Sequence, residues 1–136
     1  MLKIVIDANI IIGCFSSEED PISKEIIRKI NFNEIKAVAP NFLLIEVSNI
    51  LINKKKLPKD TVGKIINEIL GIGIIFKLFA TTDILELNEI CFKYKITSYD
   101  GLYVLLAKKE KGKLVTNDQE LLKIKKLTID LKGFNK

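Results

Sequence analysis

The chain has 136 residues, of which 48% are hydrophobic and 29% charged, a composition typical of one folded domain and not of a disordered segment. It contains no histidine, which excludes histidine-based catalytic triads, histidine general bases and histidine metal ligands. The formal net charge of +5 favours a polyanionic partner such as nucleic acid, although small basic proteins without such a partner are common.

The two cysteines, Cys14 and Cys91, are too few for a four-cysteine zinc site or a disulfide framework. We expect them to be buried thiols, with a disulfide between them as the less favoured alternative. No stretch approaches the roughly 18 apolar residues that a membrane span needs. Asp7 and Asn9 interrupt the apolar stretch before Cys14, which disfavours a lipoprotein signal there. A cytoplasmic protein is therefore expected.

Short apolar runs alternate with helical patterns along the whole chain. In chain order, the first half is predicted to contain a strand, a helix, a strand and two helices, at residues 2–6, 23–30, 37–39, 41–54 and 58–70. The last of these helices begins with Pro58, which suits a first helical position, and precedes Gly71, which suits a C-terminal cap.

The second half continues the same alternation. In chain order, it is predicted to contain a strand, two helices, a strand, a helix and a strand, at residues 74–78, 84 to about 94, 99–110, 113–116, 118–125 and 127–129. Residues 81–83 are N-cap types before the first of these helices, and Ser98 can cap the second.

Apolar strands separated by helices predict an α/β fold, a three-layer sandwich with a central, mainly parallel sheet flanked by helices, in a single domain over residues 1–136. In such sheets, ligands bind beyond the carboxyl ends of the strands. This geometry singles out Asp7, which ends the first strand, and Thr116, Asn117 and Asp118, which end a later one.

Two carboxylates in the first half of the chain have both a structural and a functional explanation. Asp7 lies in an apolar stretch where an unpaired charge is costly to bury, yet it also suits a turn or a helix cap. Glu46 shares one helix face with Asn49 and Asn53. That narrow polar stripe either faces solvent or lines a polar cleft.

Two carboxylates in the second half have the same ambiguity. Asp100 lies in the first turn of a helix that is apolar almost all round, where it favours the helix dipole or belongs to a site. Asn117 with Glu120 resembles a capping box, which would make Asp118 an early-turn acid. Judged singly, none of these positions decides between structure and function.

Four short motifs together resemble those of the PIN-domain nucleases. They are Ile-Asp7-Ala-Asn at the end of strand one, Glu46-x-x-Asn49 in an apolar helix, Tyr99-Asp100-x-x-Tyr103 opening a central helix, and Leu-Val-Thr116-Asn-Asp118 after a late strand. The resemblance covers essentially the whole chain, in the family's order and at its usual spacing. A single small domain of this kind is most similar to the VapC toxins of type II toxin–antitoxin systems.

The resemblance implies a metal-dependent endoribonuclease with an acidic quartet of Asp7, Glu46, Asp100 and Asp118. Thr116 matches the family's hydroxyl position beside the last acid and is expected to orient a carboxylate or a water.

The expected cofactor is Mg²⁺ or Mn²⁺, because carboxylates suit hard cations and the chain lacks the histidines and cysteine cluster of a zinc site. Asp7 and Asp100 are the expected main ligands, with Asp118 and Glu46 completing the shell directly or through water.

Two further positions, Asn9 and Gly101, lie within these motifs. Asn9 stands where the family often has Ser, Thr or Asn. Gly101 replaces the usual Ala after the third acid, which we expect to loosen the helix start slightly, by less than about 1 kcal/mol.

The partners implied by the resemblance are an RNA substrate, an antitoxin that covers the cleft, and a second copy of the chain. The apolar face of the helices over residues 41–70 is the candidate dimer contact. The alternatives are a PIN-domain RNA-processing nuclease without an antitoxin and a non-catalytic RNA-binding module.

Two other protein classes are less favoured. A phosphotransferase of the haloacid dehalogenase type needs a second Asp where this chain has Asn9. A response-regulator receiver needs paired acids after its first strand, and no such pair is apparent.

Overall fold

The computed structural model describes residues 3–15 and 20–134, so Leu2 of the first predicted strand lies outside the described residues. Within them, the chain forms five strands and eight helices. The strands are β1 (Lys3–Ile6), β2 (Lys36–Pro40), β3 (Ile75–Lys77), β4 (Lys113–Thr116) and β5 (Thr128–Asp130). The helices are α1 (Ala8–Phe15), α2 (Pro21–Asn31), α3 (Phe42–Asn49), α4 (Lys59–Leu70), α5 (Ile84–Tyr94), α6 (Ser98–Glu110), α7 (Gln119–Leu122) and α8 (Leu131–Phe134).

The five strands form one fully parallel sheet in the order β3-β2-β1-β4-β5, which confirms the predicted α/β class. β1 is central and pairs with β2 on one side and β4 on the other, in registers that align Val5 with both Val38 and Leu114. The chain builds the sheet outwards from β1 in one direction and then in the other. The strand order therefore reverses between β1 and β4, where parallel sheets open a crevice beyond their carboxyl ends.

Helices cover the sheet in two layers, because right-handed crossovers place helices on opposite faces when the direction of strand addition reverses. α1 packs on α2 and α3, and α3 packs on α4, in one group. In the other group α5 packs on α6, which itself lies against β1, β2 and β4. The three strands at the centre contribute mostly buried aliphatic side chains, so both helical layers share one continuous core.

α1 is the largest departure from the predicted elements. The strand ends at Ile6, and the helix over Ala8–Phe15 begins directly after Asp7. Residues 10–12 are all isoleucine. The apolar run therefore had neither the helical period of 3.6 residues nor the strand period of two that would have distinguished the two structures.

Several predicted boundaries also change. The helix predicted over 41–54 is α-helical only to Asn49 and continues as a π-helical turn over Ile50–Lys54. A 3₁₀ turn over Thr81–Asp83 leads into α5. The helix predicted over 118–125 is only the single turn of α7, and the last strand is shifted one residue to Thr128–Asp130. Gly71 is the C-cap of α4, as expected, although its backbone is right-handed, whereas Pro58 is the N-cap and not the first helical residue.

Cys14 and Cys91 are half-buried, which corrects the expectation of full burial, and the described part of the chain contains no disulfide. Among the described residues, no helix is long and apolar enough to cross a membrane.

Candidate active site

All four acids singled out by the sequence line one cleft at the carboxyl edge of the sheet. Asp7, Glu46, Asp100 and Asp118 share this cleft with four further residues, which are Ala8, Asn9, Tyr103 and Leu121. The acids reach the cleft from different elements. Asp7 follows β1, Asp118 follows β4, Glu46 lies on α3 and Asp100 lies on α6. The strand reversal between β1 and β4 therefore brings together residues that are far apart in the sequence.

Asp7 is the most deeply buried of the four acids, with 7% of its surface exposed. The backbone N–H of Ile10 donates to Asp7 Oδ1 over 3.2 Å, so the carboxylate also caps the first turn of α1. Burial raises the pKa of Asp7 from 3.8 to about 6, against the lowering effect of a hydrogen bond from the Thr116 hydroxyl. The negative charge of Glu46 raises this pKa further. Asp7 is thus a desolvated carboxylate that faces other negative charge.

Thr116 joins the two acids that follow the strands. Its fully buried hydroxyl donates to Asp7 and accepts the backbone N–H of Asp118 over 3.1 Å. The expectation that Thr116 orients a carboxylate agrees with this geometry. Since β1 and β4 are adjacent, the hydrogen bonds fix the positions of Asp7 and Asp118 relative to each other.

Asp118 is itself the N-cap of α7, which corrects the capping box predicted for Asn117 and Glu120. Its Oδ1 accepts the backbone N–H of Glu120 at 2.9 Å and of Leu121 at 3.4 Å. Both hydrogen bonds are accepted by the same carboxylate oxygen, Oδ1. Capping and a role in the cleft are therefore compatible, because Oδ2 takes no part in the cap.

Asp100 lies in the first turn of α6, as predicted, but the helix is capped by Thr97 and not by Ser98. The Asp100 backbone N–H donates to Thr97 Oγ1 over 3.1 Å. Partial burial raises the pKa of the half-buried Asp100 side chain, and the charges of Asp118 and Glu46 raise it further. The carboxylates of the cleft therefore affect one another electrostatically, although they come from separate elements.

Glu46 is held by Tyr103, a residue that belongs to one of the four motifs but for which no role was predicted. The Tyr103 hydroxyl donates to Glu46 Oε1 over 2.6 Å, and only 2% of the tyrosine surface is exposed. Burial, and then the nearby Glu46 carboxylate, raises the pKa of Tyr103, which keeps its proton on the donor. Tyr103 lies three residues after Asp100, on the same helix face, and that spacing was the one available signal.

The polar stripe predicted on the Glu46 helix divides into two parts. Asn49 and Asn53 are exposed and bond to each other, with 2.6 Å between Nδ2 of Asn53 and Oδ1 of Asn49. Neither lines the acidic cleft, whereas Glu46 is half-buried within it. Both explanations considered for the stripe therefore apply, each to different residues.

Gly101, the departure from the family pattern, has a packing reason. A Cβ atom at this position would lie 2.8 Å from the Cys91 sulfur and 2.9 Å from Leu87 Cδ1, both on α5. The glycine therefore lets α5 approach the first turn of α6 closely. The expectation of a merely loosened helix start overlooked this contact.

The donor set of the cleft suits a hard divalent cation, because every candidate ligand is a carboxylate oxygen. In the described ranges 3–15 and 20–134, however, there is no group of three or more acidic or cysteine side chains that lie close enough together to hold a metal ion. Asp7 is engaged by Thr116 and by the Ile10 backbone N–H. Glu46 and Asp118 each have one oxygen engaged, by Tyr103 and by the α7 cap, and the other oxygen takes no part in these bonds. A cation would have to draw the carboxylates closer against their mutual repulsion.

Comparison with known proteins identifies the family of this fold. The family model of the PIN domain matches residues 4–127. The comparison with curated proteins gives no match. Three solved structures share the fold over nearly the whole chain, at identities that show the fold alone.

The first is PAE2754 from Pyrobaculum aerophilum, with 20% identity and a TM-score of 0.71 over 98% of this chain and 92% of that one. The second is VapBC2 from Rickettsia felis bound to a DNA fragment from their promoter, with 16% identity and a TM-score of 0.75 over 95% of this chain and 98% of that one. The third is a toxin–antitoxin complex from Klebsiella pneumoniae, with 16% identity and a TM-score of 0.66 over 93% of this chain and 96% of that one. With the family match over most of its length, the chain belongs to the PIN-domain family.

Proposed function

We propose that this protein is a metal-dependent endoribonuclease and the toxin of a toxin–antitoxin pair. The observation that carries the nuclease proposal is the meeting of four carboxylates in one cleft at the reversal point of the sheet. Their electrostatic influence on one another supports it, since the charges of Asp118 and Glu46 raise the pKa of Asp100. Such a cluster needs a cation to offset its charge.

Asp7, Asp100 and Asp118 would hold the cation, and Glu46 would complete its surroundings. When bound, Mg²⁺ or Mn²⁺ supplies positive charge that lowers the pKa of water and offsets charge on the scissile phosphate.

The residues around the four acids keep them in place. Thr116 holds the Asp7 carboxylate, and Tyr103 holds that of Glu46. Leu121 and Ala8 line the same cleft with apolar surface.

The antitoxin part of the proposal rests on the solved relatives. The Rickettsia felis and Klebsiella pneumoniae structures are, by description, a VapBC2 assembly and a toxin–antitoxin complex, and both share this fold. Co-purification with the product of the neighbouring reading frame tests this part. We also propose a cytoplasmic location.

The homodimer stays part of the proposal. The exposure of Ile45, Ile52 and Leu70 on the helices over residues 41–70 supports this proposed contact. Measurement of the mass in solution tests it.

The nuclease proposal is tested by Asp7→Asn, which keeps the side-chain shape and removes the charge. Cleavage of mixed RNA in Mg²⁺ or Mn²⁺ should fall by at least about 1,000-fold, in the range seen when a catalytic group is removed. EDTA should abolish cleavage by the unaltered protein.

The matched control is Asp60→Asn, which changes an exposed Asp in the first turn of α4, outside the cleft. It should cleave normally. Circular dichroism should show all three proteins folded, and calorimetric titration should detect Mn²⁺ binding in all but Asp7→Asn. Metal-dependent cleavage by the Asp7→Asn protein would refute the assignment.

A further inference from the structure

Two side-chain bridges connect α3 with α6 across the open edge of the sheet. In one bridge the Tyr103 hydroxyl donates to Glu46. In the other, the rings of Phe42 and Tyr99 stack, with 5.3 Å between their centroids and 9° between their planes. Phe42 precedes Glu46 by four residues and Tyr99 precedes Tyr103 by four, so each bridge uses the same face of both helices. The two bridges are therefore consecutive contacts along the interface between the two helices.

The stacked ring pair lies farther from the sheet than the hydrogen bond between Tyr103 and Glu46. Both helices begin at the carboxyl edge of the sheet, α3 directly after β2, and Phe42 and Tyr99 lie in their first turns. The ring pair is consequently about one helical turn, roughly 5.4 Å, beyond Glu46 and Tyr103. Tyr99 is also the residue directly before Asp100. The pair is thus not part of the cleft lining, and it lies about one helical turn from two residues that are.

The two rings of the pair differ in exposure. Tyr99 has 61% of its surface exposed, whereas Phe42 is half-buried. One face of the tyrosine ring rests on the phenylalanine, which fixes its orientation and leaves the remaining surface to solvent. Within the described ranges this is the one stacked aromatic pair. By contrast, Phe92 is the most exposed aromatic residue in these ranges, with 85% of its surface exposed, and it lies on α5 outside the acidic cleft.

We propose that Tyr99, backed by Phe42, is a stacking platform for an unpaired nucleobase of the nucleic acid whose backbone enters the acidic cleft. An aromatic ring that is already oriented binds a base with little loss of side-chain freedom. A base presents an uncharged aromatic face, so it can lie beside the acids where a bare phosphate would be repelled. That this nucleic acid is a substrate of the protein rests on the proposed nuclease function, whereas its stacking on Tyr99 does not.

The platform predicts that the bases of the ligand contribute to affinity through Tyr99. The probes are a fluorescein-labelled single-stranded RNA octamer of adenylate and the same octamer with abasic riboses throughout. Binding is measured by anisotropy in EDTA, where cleavage is suppressed. The unaltered protein should bind the adenylate probe about 5- to 150-fold more tightly than the abasic probe, the range expected for one stacked base.

Three variants and a control separate stacking from other effects. Tyr99→Ala should lose the preference for the adenylate probe, and Tyr99→Phe should keep it within about twofold because it retains the ring. Tyr99→Leu, which keeps apolar area without an aromatic face, should behave like Tyr99→Ala. Phe92→Ala changes an exposed aromatic residue elsewhere on the surface and should leave both affinities unchanged. Since the position is exposed, thermal unfolding should show no variant more than slightly destabilised.

Several results would overturn the platform. One is an unchanged affinity of the Tyr99→Ala protein for the adenylate probe. That result would indicate that the ring pair contacts a protein partner and not a nucleobase. Another is an equal loss for the adenylate and abasic probes. A third is full binding by Tyr99→Leu. If the protein binds RNA through Tyr99 but cleaves nothing in Mg²⁺, the nuclease proposal fails and the platform stands.

Discussion

The acidic cleft has two halves that are built in different ways. Asp7 and Asp118 follow adjacent strands and are fixed by hydrogen bonds to backbone N–H groups and to the buried Thr116. Glu46 and Asp100 lie on helices of opposite layers, and Glu46 depends on a single side chain, Tyr103, for its position. We call these pairs the strand half and the helix half.

The strand half is the part of the cleft that is ordered before a ligand arrives. Since β1 and β4 pair in one fixed register, the sheet also fixes the positions of Asp7 and Asp118 in the strand half. The helix half is joined across the cleft only by side chains and can adjust when charge enters.

The largest expected effect concerns the burial of Asp7 in the strand half. Its pKa in the folded protein is about 6, above its ordinary value of 3.8. As pH rises from about 4 to 6, the unfolded chain ionises this group first, so the folded state loses stability by about 3 kcal/mol. Below about pH 4 the group is protonated in both states and has no effect.

This pH dependence is measured by urea unfolding in EDTA between pH 4 and 8. The stability of the unaltered protein relative to Asp7→Asn should fall over that range and level off above pH 6, because asparagine does not ionise. Taking the difference removes the contributions of the other acids. A difference that stays flat with pH would show that Asp7 is not desolvated.

The next effect concerns the hydroxyl that joins the two acids of the strand half. Thr116→Val keeps the shape and removes the donor to Asp7 and the acceptor of the Asp118 N–H. Leaving these buried groups unpaired should cost about 1–3 kcal/mol of folding free energy and lower RNA cleavage in parallel.

Thr128→Val is the matched control, because Thr128 is also buried and donates to the Ile124 carbonyl over 2.9 Å, away from the cleft. It should destabilise the fold with unchanged cleavage per folded molecule. If the two variants lose cleavage equally, the hydroxyl of Thr116 has no special place in the site.

The smallest expected effect concerns the helix half. Tyr103→Phe removes one hydrogen bond to a half-exposed carboxylate that water can replace, so stability should fall by only about 1 kcal/mol. Cleavage should fall more, about three- to tenfold, and higher Mg²⁺ should restore part of it by fixing Glu46 directly. Tyr94→Phe, on α5 outside the cleft, is the control. Unchanged cleavage by Tyr103→Phe at limiting Mg²⁺ would show that Glu46 needs no positioning.

The two halves also differ in how far the sequence predicted them. The alternation of apolar runs with helical patterns predicted the parallel sheet, and strand ends then pointed to Asp7, Thr116 and Asp118, because that geometry follows from local patterns alone. Glu46 and Asp100 needed the family resemblance, since a polar stripe and a first-turn acid have common structural explanations.

Some features could not be predicted because they depend on contacts between distant parts of the chain. The Tyr103 to Glu46 bond spans 57 positions, and the stacking of Phe42 on Tyr99 arises only after the two helical layers close over the sheet. The helix α1 was missed for a local reason, because three consecutive isoleucines carry no period.

The close approach at Gly101 links three positions that have no chemical role in the cleft. An alanine there would gain up to about 1 kcal/mol of helix propensity, but its methyl group would press on the Cys91 sulfur and on Leu87. An alanine at position 101 would therefore require the Cys91 or Leu87 side chain to shift, or a smaller residue on α5 such as Cys91→Ala. The third acid is thus followed by a position whose side-chain size is coupled through packing to residues 87 and 91.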